Sequence, residues 1–213
     1  MLPIPPGIPI VHACGRYVVV AKPPGLLSVP GKGEAKQDCV ITRVREAFPH
    51  AAGPMVVHRL DMETSGLMIV ALDADAQREL SGRFERREVE KDYIAIVHGG
   101  PDADEGTVDL PLRLDPDNRP RQVVDHIHGR AAITQWRVIS RDTATTRLRL
   151  HPVTGRSHQL RLHCAIGLGC PIVGDVLYGD GHAGDRLLLH ATRLVLTPPG
   201  EQEPRVFVSE PAF

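Results

Sequence analysis

The sequence of 213 residues predicts an α+β fold with a mixed, mainly antiparallel sheet and flanking helices. Segments with strand character outnumber helical segments, and the two kinds do not alternate in the strict βαβ order that a parallel sheet requires. No linker rich in Pro, Gly or Ser divides the chain. We therefore expect residues 1–213 to form a single domain.

The first strand and the first helix are predicted before residue 50. The run Arg16–Lys22 is extended, and Pro23-Pro24-Gly25 ends it in a turn. Asp38 can act as the N-cap of a helix that Pro49 stops. The apolar face of this helix consists of Val40, Ile41, Val44 and Phe48.

Two β-prone runs, Met55–Val57 and Leu67–Leu72, flank a polar insert at residues 58–66. Asp73 then opens a second helix, because apolar residues follow it at helical spacing. These apolar residues are Ala76, Leu80 and Phe84.

The sequence of the C-terminal half predicts five strands and one helix. The strands are Lys91–His98, Val108–Leu114, Ile133–Ile139, Arg147–Leu150 and Leu187–Leu196. Asp115–Arg121 is rich in turn-forming residues and predicts a loop. The helix covers Ser157–Ile166 and is ended by Gly167 and Gly169.

The charges nearly balance, with 25 Lys and Arg against 26 Asp and Glu and a net charge of −1. This balance argues against a general polyanion-binding protein, because such domains are usually strongly basic. Arginine nevertheless exceeds lysine by 21 to 4. Two explanations remain open: codon bias, or a preference for the planar, bidentate contacts that arginine makes with phosphate and carboxylate groups.

The sequence shows no sign of export or membrane insertion. Its longest apolar run, Leu67–Leu72, is far shorter than the roughly 20 residues that span a bilayer. Residues 1–7 have neither the basic nor the apolar region of a signal peptide. The four cysteines, which form no CxxC pair, are Cys14, Cys39, Cys164 and Cys170. We expect a cytoplasmic protein with reduced thiols and no membrane partner.

Several familiar motifs are absent or incomplete. Gly25–Lys32 resembles a phosphate-binding loop, but its spacing is wrong and Gly33 stands where a Ser or Thr would bind Mg²⁺. There is no GxSxG or HExxH motif. The closest histidine pairs, His126 with His128 and His158 with His163, lack metal-ligand spacing, so we expect no metal site.

The polar insert at residues 58–66 is the most informative segment. Polar side chains between two buried strands indicate a binding or reactive site more often than packing. Asp61 has an apolar segment on each side, so we expect a partly desolvated carboxylate that needs a nearby cation to stay ionised. The alternative is that Asp61 only caps a turn.

A second segment, Arg147–His163, carries four arginines, three histidines and no acidic residue. Thr154-Gly155-Arg156-Ser157 leads into the predicted helix, whose N-terminus would favour an anion. Two interpretations stay open: a phosphate cradle that also supplies a cation to Asp61, or a solvated strand face with an arginine-capped turn.

Five segments in order resemble the RluA-type pseudouridine synthases. They are His58–Leu67 (HRLDxxTSGL), Lys91–Gly99 (KxYxAxxxG), Thr154–His163 (TGRxHQLRxH), Gly169–Gly179 (GxPIxGDxxYG) and Leu188–Ala191 (LHA). The resemblance implies the pseudouridine synthase catalytic fold with a central cleft and no cofactor. It also implies a structured RNA partner, a monomer and no N-terminal S4 RNA-binding domain. Leu26–Gly31 and Asn118–Gln122 resemble the subgroup that modifies a uridine in the tRNA anticodon loop and another in a 23S rRNA stem-loop.

The resemblance also implies residue roles. Asp61 corresponds to the catalytic carboxylate, Arg161 to its cationic partner, and Tyr93 to the aromatic residue that stacks on uracil and assists removal of the C5 proton. Arg59 corresponds to the side chain that fills the gap left by the flipped uridine, and Leu189 to an apolar contact with that base. The other implied substrate-binding residues are Thr64, Arg156, His158, Arg119 and Arg121.

Three alternatives remain at this level. The same chemistry could act on a different single uridine of tRNA or rRNA. The chain could instead be a non-catalytic RNA-binding protein or chaperone, which an intact set of Asp61, Tyr93 and Arg161 argues against. A metal-dependent hydrolase that uses the histidines would lose its activity in EDTA.

Overall fold

A computed structural model describes residues 7–182 and 184–213. The chain divides into two compact units. The first contains the residues up to Lys91 together with His190–Ala212, and the second contains Asp92–Leu189 with Phe213. The prediction of a single domain over residues 1–213 stays a prediction. Residues 1–6, which carry most of the segment judged not to be a signal peptide, lie outside the described residues.

The elements follow one another in a mixed order. The strands are β1 (Ile10–Ala13), β2 (Tyr17–Lys22), β3 (Ser65–Ala71), β4 (Glu90–His98), β5 (Glu105–Asp109), β6 (Leu112–Leu114), β7 (Gln122–Val124), β8 (Ile133–Arg141), β9 (Thr145–Pro152), β10 (Leu189–Leu196) and β11 (Arg205–Val208). The α-helices are α1 (Val40–Ala47), α2 (Ala74–Glu85) and α3 (Gln159–Leu162). A 3₁₀ turn covers Glu34–Lys36, and a π-helical turn covers His163–Gly167.

In the first unit the strand order is β1-β2-β3-β10, and β11 pairs with β10. Only the pairing of β3 with β10 is parallel. Strand β3 is buried along its whole length. Met68 and Val70 pack into one apolar cluster with residues of α1, while Leu67 and Ile69 pack into another with residues of α2. The segment that follows residues 58–64 is therefore held in the centre of this unit's core.

In the second unit β4, β9, β8 and β5 lie side by side and are all antiparallel, while β6 and β7 form a separate hairpin. Leu148 and Leu150 of β9 pack with Leu160 of α3. Arg147 and Arg149 alternate with these leucines and so lie on the other face of the sheet. The two units together confirm the predicted α+β fold with a mixed, mostly antiparallel sheet. The central cleft stays a prediction.

The helices differ in how well the sequence predicted their starts. Asp73 caps α2 as predicted, since its Oδ1 accepts a hydrogen bond from the Ala76 amide at 2.7 Å. The cap predicted at Asp38 is wrong. The Sγ of Cys39 accepts from the Thr42 amide instead, and Asp38 forms an ion pair with Arg43. Asp38 lies one residue too early, because α1 begins at Val40.

Three other predicted elements are wrong in extent. Met55–Val57 forms only an isolated bridge between Val56 and Val70. Val108–Leu114 is split between β5 and β6, because Pro111 has no amide hydrogen to donate to a ladder. The helix predicted over Ser157–Ile166 begins only at Gln159 and widens after Leu162, where the Leu168 amide bonds to the carbonyl of His163.

All four cysteines are free, and Cys164 and Cys170 are buried in the core of the second unit. In the described ranges, no helix combines the length and the apolar character needed to cross a bilayer.

Candidate active site

The segment around Asp61 forms a tight turn in the first unit. The Thr64 amide donates to the Asp61 carbonyl at 3.2 Å. Asp61 is half-buried, Arg59 is exposed, and Thr64 is buried where β3 begins. The carboxylate of Asp61 is therefore carried by a short loop whose exit leads directly into the most buried strand of the unit.

Both neighbours of Asp61 are fixed by hydrogen bonds from the segment after β2. The Ser28 hydroxyl donates to the Leu60 carbonyl at 2.7 Å and accepts from the Leu60 amide at 3.0 Å. On the other side, the Met62 carbonyl accepts from Lys22 Nζ at 2.7 Å and from the Gly25 amide at 3.0 Å. The main chain is thus held on each side of Asp61.

Lys22 provides a buried positive charge beside this loop. Its ammonium also donates to the carbonyls of Pro23 at 2.9 Å and Leu26 at 2.8 Å, and only 1% of the residue is exposed. Burial lowers the pKa of Lys22 to about 8, while the carboxylates of Glu63 and Asp61 oppose that change. Lys22 is therefore a nearby cation for Asp61 within the first unit, a role that the sequence analysis missed.

His58 fixes the start of the same loop. Its Nε2 accepts a hydrogen bond from the Ile69 amide at 3.0 Å, and its ring stacks on Phe84 with the centroids 4.5 Å apart. Burial, followed by the nearby Lys91 ammonium, lowers the pKa of His58 to about 3. The imidazole is neutral at pH 7 and carries its proton on Nδ1, since Nε2 is the acceptor.

We expect the stability of the chain to fall below pH 6.5 because of His58. Unfolded histidine binds a proton near pH 6.5, whereas folded His58 does so only near pH 3, so acid favours the unfolded state across this window. The variant His58→Gln keeps an acceptor for the Ile69 amide and does not titrate. Urea unfolding between pH 7.5 and 4.5 should show a steeper loss in the wild type than in this variant. Equal slopes would contradict the neutral state of His58.

The strand that follows the loop is joined closely to β10. Ser65 Oγ lies 2.9 Å from His190 Nδ1, and His190 Nε2 lies 3.0 Å from the Ser209 carbonyl. The carbonyl can only accept, so His190 donates from Nε2 and accepts the Ser65 hydroxyl at Nδ1. Gly66 has φ +111°, and a Cβ there would lie 2.3 Å from the Ala191 carbonyl oxygen. Only glycine permits this close approach of the two strands.

In the second unit Arg161 belongs to a buried ion pair. Its Nε and Nη2 donate to the two oxygens of Asp175 at 2.8 and 2.6 Å, and 4% of Arg161 and none of Asp175 is exposed. Burial alone would raise the pKa of Asp175. The guanidinium and the amides of Leu177 and Tyr178 outweigh this effect and hold the pKa below its ordinary value. The predicted pairing of Arg161 with Asp61 stays a prediction.

Tyr93 and Leu189 belong to the apolar core of the second unit. Tyr93 lies on β4 opposite Leu150, is partly buried and packs against the cluster that contains Leu189. Leu189 is 2% exposed. Their predicted contacts with a uracil ring stay predictions.

The segment Arg147–His163 does not form one surface. Arg161 is buried, Arg149 is exposed, and Arg147 donates to the carbonyl of Phe213. The backbone amide of Arg156 is occupied by Gln159 Oε1 at 2.9 Å, and its Nε donates to the Ala131 carbonyl. The helix that follows this segment, α3, is only four residues long, and the Arg156 amide is already used within the chain. The choice between a phosphate cradle and a solvated strand face stays open.

The loop predicted at Asp115–Arg121 is confirmed as the connection between β6 and β7. The Asp115 amide donates to the Arg121 carbonyl, and the Arg121 amide donates to the Asn118 carbonyl. Arg119 and Arg121 are both exposed. The Arg121 guanidinium donates to the Leu177 carbonyl and lies over the ring of Tyr178.

The predicted site residues divide between the units. Arg59, Asp61 and Thr64 belong to the first unit. The second contains Tyr93, Arg119, Arg121, Arg156, His158, Arg161 and Leu189. Among the described residues, no cluster of three or more His, Cys, Asp or Glu side chains could hold a metal ion. Asp175 and Tyr178 both stand in the GxPIxGDxxYG motif, but the motif alone assigns neither of them a role.

The chain is similar in sequence to known proteins. Residues 16–166 match the family model of RNA pseudouridylate synthase. The Dual-specificity RNA pseudouridine synthase RluA of Yersinia pestis is 48% identical over 208 residues, which cover 96% of this chain and 99% of that protein. Its counterpart in Escherichia coli strain K12 is 46% identical over 201 residues, 92% of this chain and 90% of that protein.

Solved structures give the same result for the fold. Human RNA Pseudouridylate Synthase Domain Containing 4 superposes with a TM-score of 0.77 at 29% identity, over 96% of this chain and 89% of that one. Human RNA Pseudouridylate Synthase Domain Containing 1 gives 0.79 at 27% identity, over 97% and 84%. The HRLDxxTSGL segment thus lies in a chain of matching sequence and matching fold. The chain belongs to the RNA pseudouridylate synthase family.

Proposed function

We propose that this chain isomerises one uridine in the anticodon loop of tRNA and one in a 23S rRNA stem-loop to pseudouridine. The dual specificity is the one named for the relatives from Yersinia pestis and Escherichia coli. The observation that carries the catalytic part is the hydrogen bonding on both sides of Asp61, from Ser28 to Leu60 and from Lys22 to Met62. These bonds hold the main chain on each side of Asp61 in place, and a surface turn without a catalytic role does not require such bonds from a buried ammonium and a buried hydroxyl.

In the proposed reaction the N1–C1′ bond of uridine breaks, the uracil turns, and a C5–C1′ bond forms. The proton on C5 leaves and N1 gains one, so the change is an isomerisation that needs no redox cofactor. Asp61 assists because breaking a glycosidic bond develops positive charge at C1′, which a carboxylate stabilises or traps. The buried Lys22 ammonium lies beside the loop, and the carboxylates of Glu63 and Asp61 raise its pKa against the effect of burial.

Residues of the second unit complete the proposed mechanism. Arg161 supplies a fixed guanidinium as the partner of Asp61, and its ion pair with Asp175 determines its orientation. Tyr93 stacks on the uracil and takes part in removal of the C5 proton. Leu189 contacts the flipped base through its apolar side chain.

The remaining predicted residues are proposed to bind RNA. Arg59 fills the gap left by the flipped uridine. Thr64, His158 and Arg156 contact the target nucleotide and its neighbours, while Arg119 and Arg121 contact phosphates of the stem-loop. We further propose a monomer that works in the cytoplasm without a metal ion.

The proposal is tested with purified chain and RNA stem-loops labelled with ³H at C5 of uridine. We expect tritium release from the anticodon and 23S stem-loops, and none from matched stem-loops in which cytidine replaces the target uridine. Release should persist in EDTA, and RNA affinity should fall as salt concentration rises. Loss of activity in EDTA would favour a metal-dependent enzyme. RNA binding without release would favour a non-catalytic RNA-binding protein.

The choice of uridine is tested in cells. Pseudouridine mapping in RNA from a strain that lacks this gene should show the loss of one tRNA site and one 23S site. Loss of a single site elsewhere would support the same chemistry on a different uridine.

Tyr93→Phe is expected to preserve the fold and to reduce the rate of tritium release by about a hundredfold, in the range of general acid–base contributions. The variant keeps the aromatic ring but lacks the phenolic oxygen that would take part in proton transfer. Single-turnover tritium release measures the effect, with thermal unfolding as the control for folding. An unchanged rate would leave Tyr93 only a stacking role.

A further inference from the structure

Tyr178 contacts three predicted site residues, Arg161, Arg121 and His158. The guanidinium carbons of Arg161 and Arg121 lie 5.4 and 5.9 Å from the centre of its ring. Its hydroxyl lies 2.7 Å from His158 Nδ1 and 2.7 Å from the Gln122 amide nitrogen. All these residues belong to the second unit.

The hydroxyl of Tyr178 is tied to the end of loop 115–121. The Gln122 amide donates to the phenolic oxygen, and Gln122 is the first residue of β7, directly after Arg121. Arg121 adds a hydrogen bond to the carbonyl of Leu177, the residue before Tyr178. A displacement at this end of the loop therefore acts on the Tyr178 side chain and on its backbone.

The other side of Tyr178 is tied to Arg161. The amides of Leu177 and Tyr178 donate to Asp175 Oδ1 at 2.9 and 3.0 Å, the same oxygen that accepts from Arg161 Nη2. The Tyr178 ring also lies against the Arg161 guanidinium. Backbone, ring and ion pair thus form one connected group around a fully buried carboxylate.

His158 adds a third connection, through a strained backbone. Its φ is +54°, a left-handed conformation that residues other than glycine adopt only at a cost in free energy. The His158 carbonyl accepts from the Leu162 amide within the turn that carries Arg161. Its imidazole is bonded to the Tyr178 hydroxyl, so this phenol also holds the start of α3.

We propose that Tyr178 is a positioning residue that couples RNA contact at loop 115–121 to the placement of Arg161. The inference rests on the proposed function, in which the loop binds RNA and Arg161 serves the catalytic carboxylate. RNA bound by Arg119 fixes the end of the loop. The hydrogen bonds of the Tyr178 hydroxyl then fix the Tyr178 side chain, which holds the Arg161 guanidinium in the orientation that the reaction needs. Tyr178 touches neither the reacting atoms nor the RNA in this scheme.

The variant Tyr178→Phe tests the role of the hydroxyl, because it keeps the aromatic ring beside both guanidinium groups and removes the hydrogen bonds of the phenolic oxygen to His158 and Gln122. We expect kcat for tritium release to fall about tenfold, while the Kd for the same stem-loop stays within twofold. Tyr17→Phe is the matched control. It removes a phenolic hydroxyl in the first unit, where Tyr17 has no proposed contact with RNA, and it should leave both constants unchanged.

A second comparison separates coupling from a merely structural role. Arg119→Ala should lower both RNA affinity and kcat in the wild-type background. In the Tyr178→Phe background it should lower affinity alone, because the loop no longer communicates with Arg161. Independent multiplicative effects of the two substitutions on kcat would overturn the coupling.

The outcomes distinguish this inference from the proposed function. Turnover by the wild type with an unchanged kcat in Tyr178→Phe would overturn the inference alone. A loss of kcat that merely tracks a lower fraction of folded protein in thermal unfolding would also overturn it. Absence of turnover by the wild type on both stem-loops would overturn the proposed function and this inference with it.

Discussion

Replacing Asp61 with asparagine is expected to abolish tritium release, with a loss of at least about a thousandfold, while RNA binding stays within a few-fold of the wild type. Asparagine has the same shape but cannot carry the negative charge that stabilises or traps C1′. The Leu60 and Met62 hydrogen bonds involve only main-chain atoms of the loop, so they remain in the variant. Single-turnover tritium release and filter binding measure the two quantities.

Glu63→Gln is the matched control for Asp61→Asn. Glu63 lies two residues away and also interacts with the charge of Lys22, so both variants remove one carboxylate from the same local field. Glu63 has no proposed role in the reaction, and its variant should keep a rate within a few-fold of the wild type. Retained turnover in Asp61→Asn, or equal losses in both variants, would contradict the catalytic assignment.

Asp175→Asn is expected to destabilise the chain by roughly 3–5 kcal/mol, because it leaves the Arg161 guanidinium buried without its counter-charge. The asparagine oxygen can still accept from the amides of Leu177 and Tyr178. The loss of stability therefore measures mainly the effect of removing the negative charge of Asp175. Urea unfolding at pH 7 measures the free energy of unfolding. Turnover of the folded fraction should also fall, since Arg161 would lose its fixed orientation.

The control for Asp175→Asn is Asp38→Asn. Asp38 forms an equally bidentate pair with Arg43, at 2.7 Å for both hydrogen bonds, but its side chain is 63% exposed. Exposed pairs contribute only about 0–1 kcal/mol, because water solvates the separated charges well. Similar losses in the two variants would contradict the view that burial sets the importance of the Arg161–Asp175 pair.

Local sequence pattern predicted the elements whose signals lie within a few neighbouring residues. Asp73 caps α2 because its oxygen reaches an amide three positions ahead, and β3 is buried because its whole run is apolar. The pattern was wrong where a competing local interaction decided the outcome. Cys39 caps α1 instead of Asp38, and the Asp38 carboxylate pairs with Arg43. The helix predicted from Ser157 begins later because His158 has a left-handed backbone, with φ +54°, so the first helical residue is Gln159.

The sequence predicts which residues belong to the candidate site, but not the residues that hold them in place. The motif around Asp61 named the carboxylate, yet the Lys22 ammonium that bonds to Met62 is 40 residues away. Asp175, the partner of Arg161, lies 14 residues further along the chain. Such contacts depend on how the strands pair across the unit, and periodicity within one segment carries no information about them.

The central claim is tested most directly by incubating the purified wild-type chain with an anticodon stem-loop labelled with ³H at C5 of its target uridine, in the presence of EDTA. We predict tritium release that reaches one equivalent per stem-loop, with pseudouridine at the released position and the RNA chain intact. Stem-loops that are bound but keep their tritium, or that are cut rather than isomerised, would contradict the assignment of this chain as the catalyst.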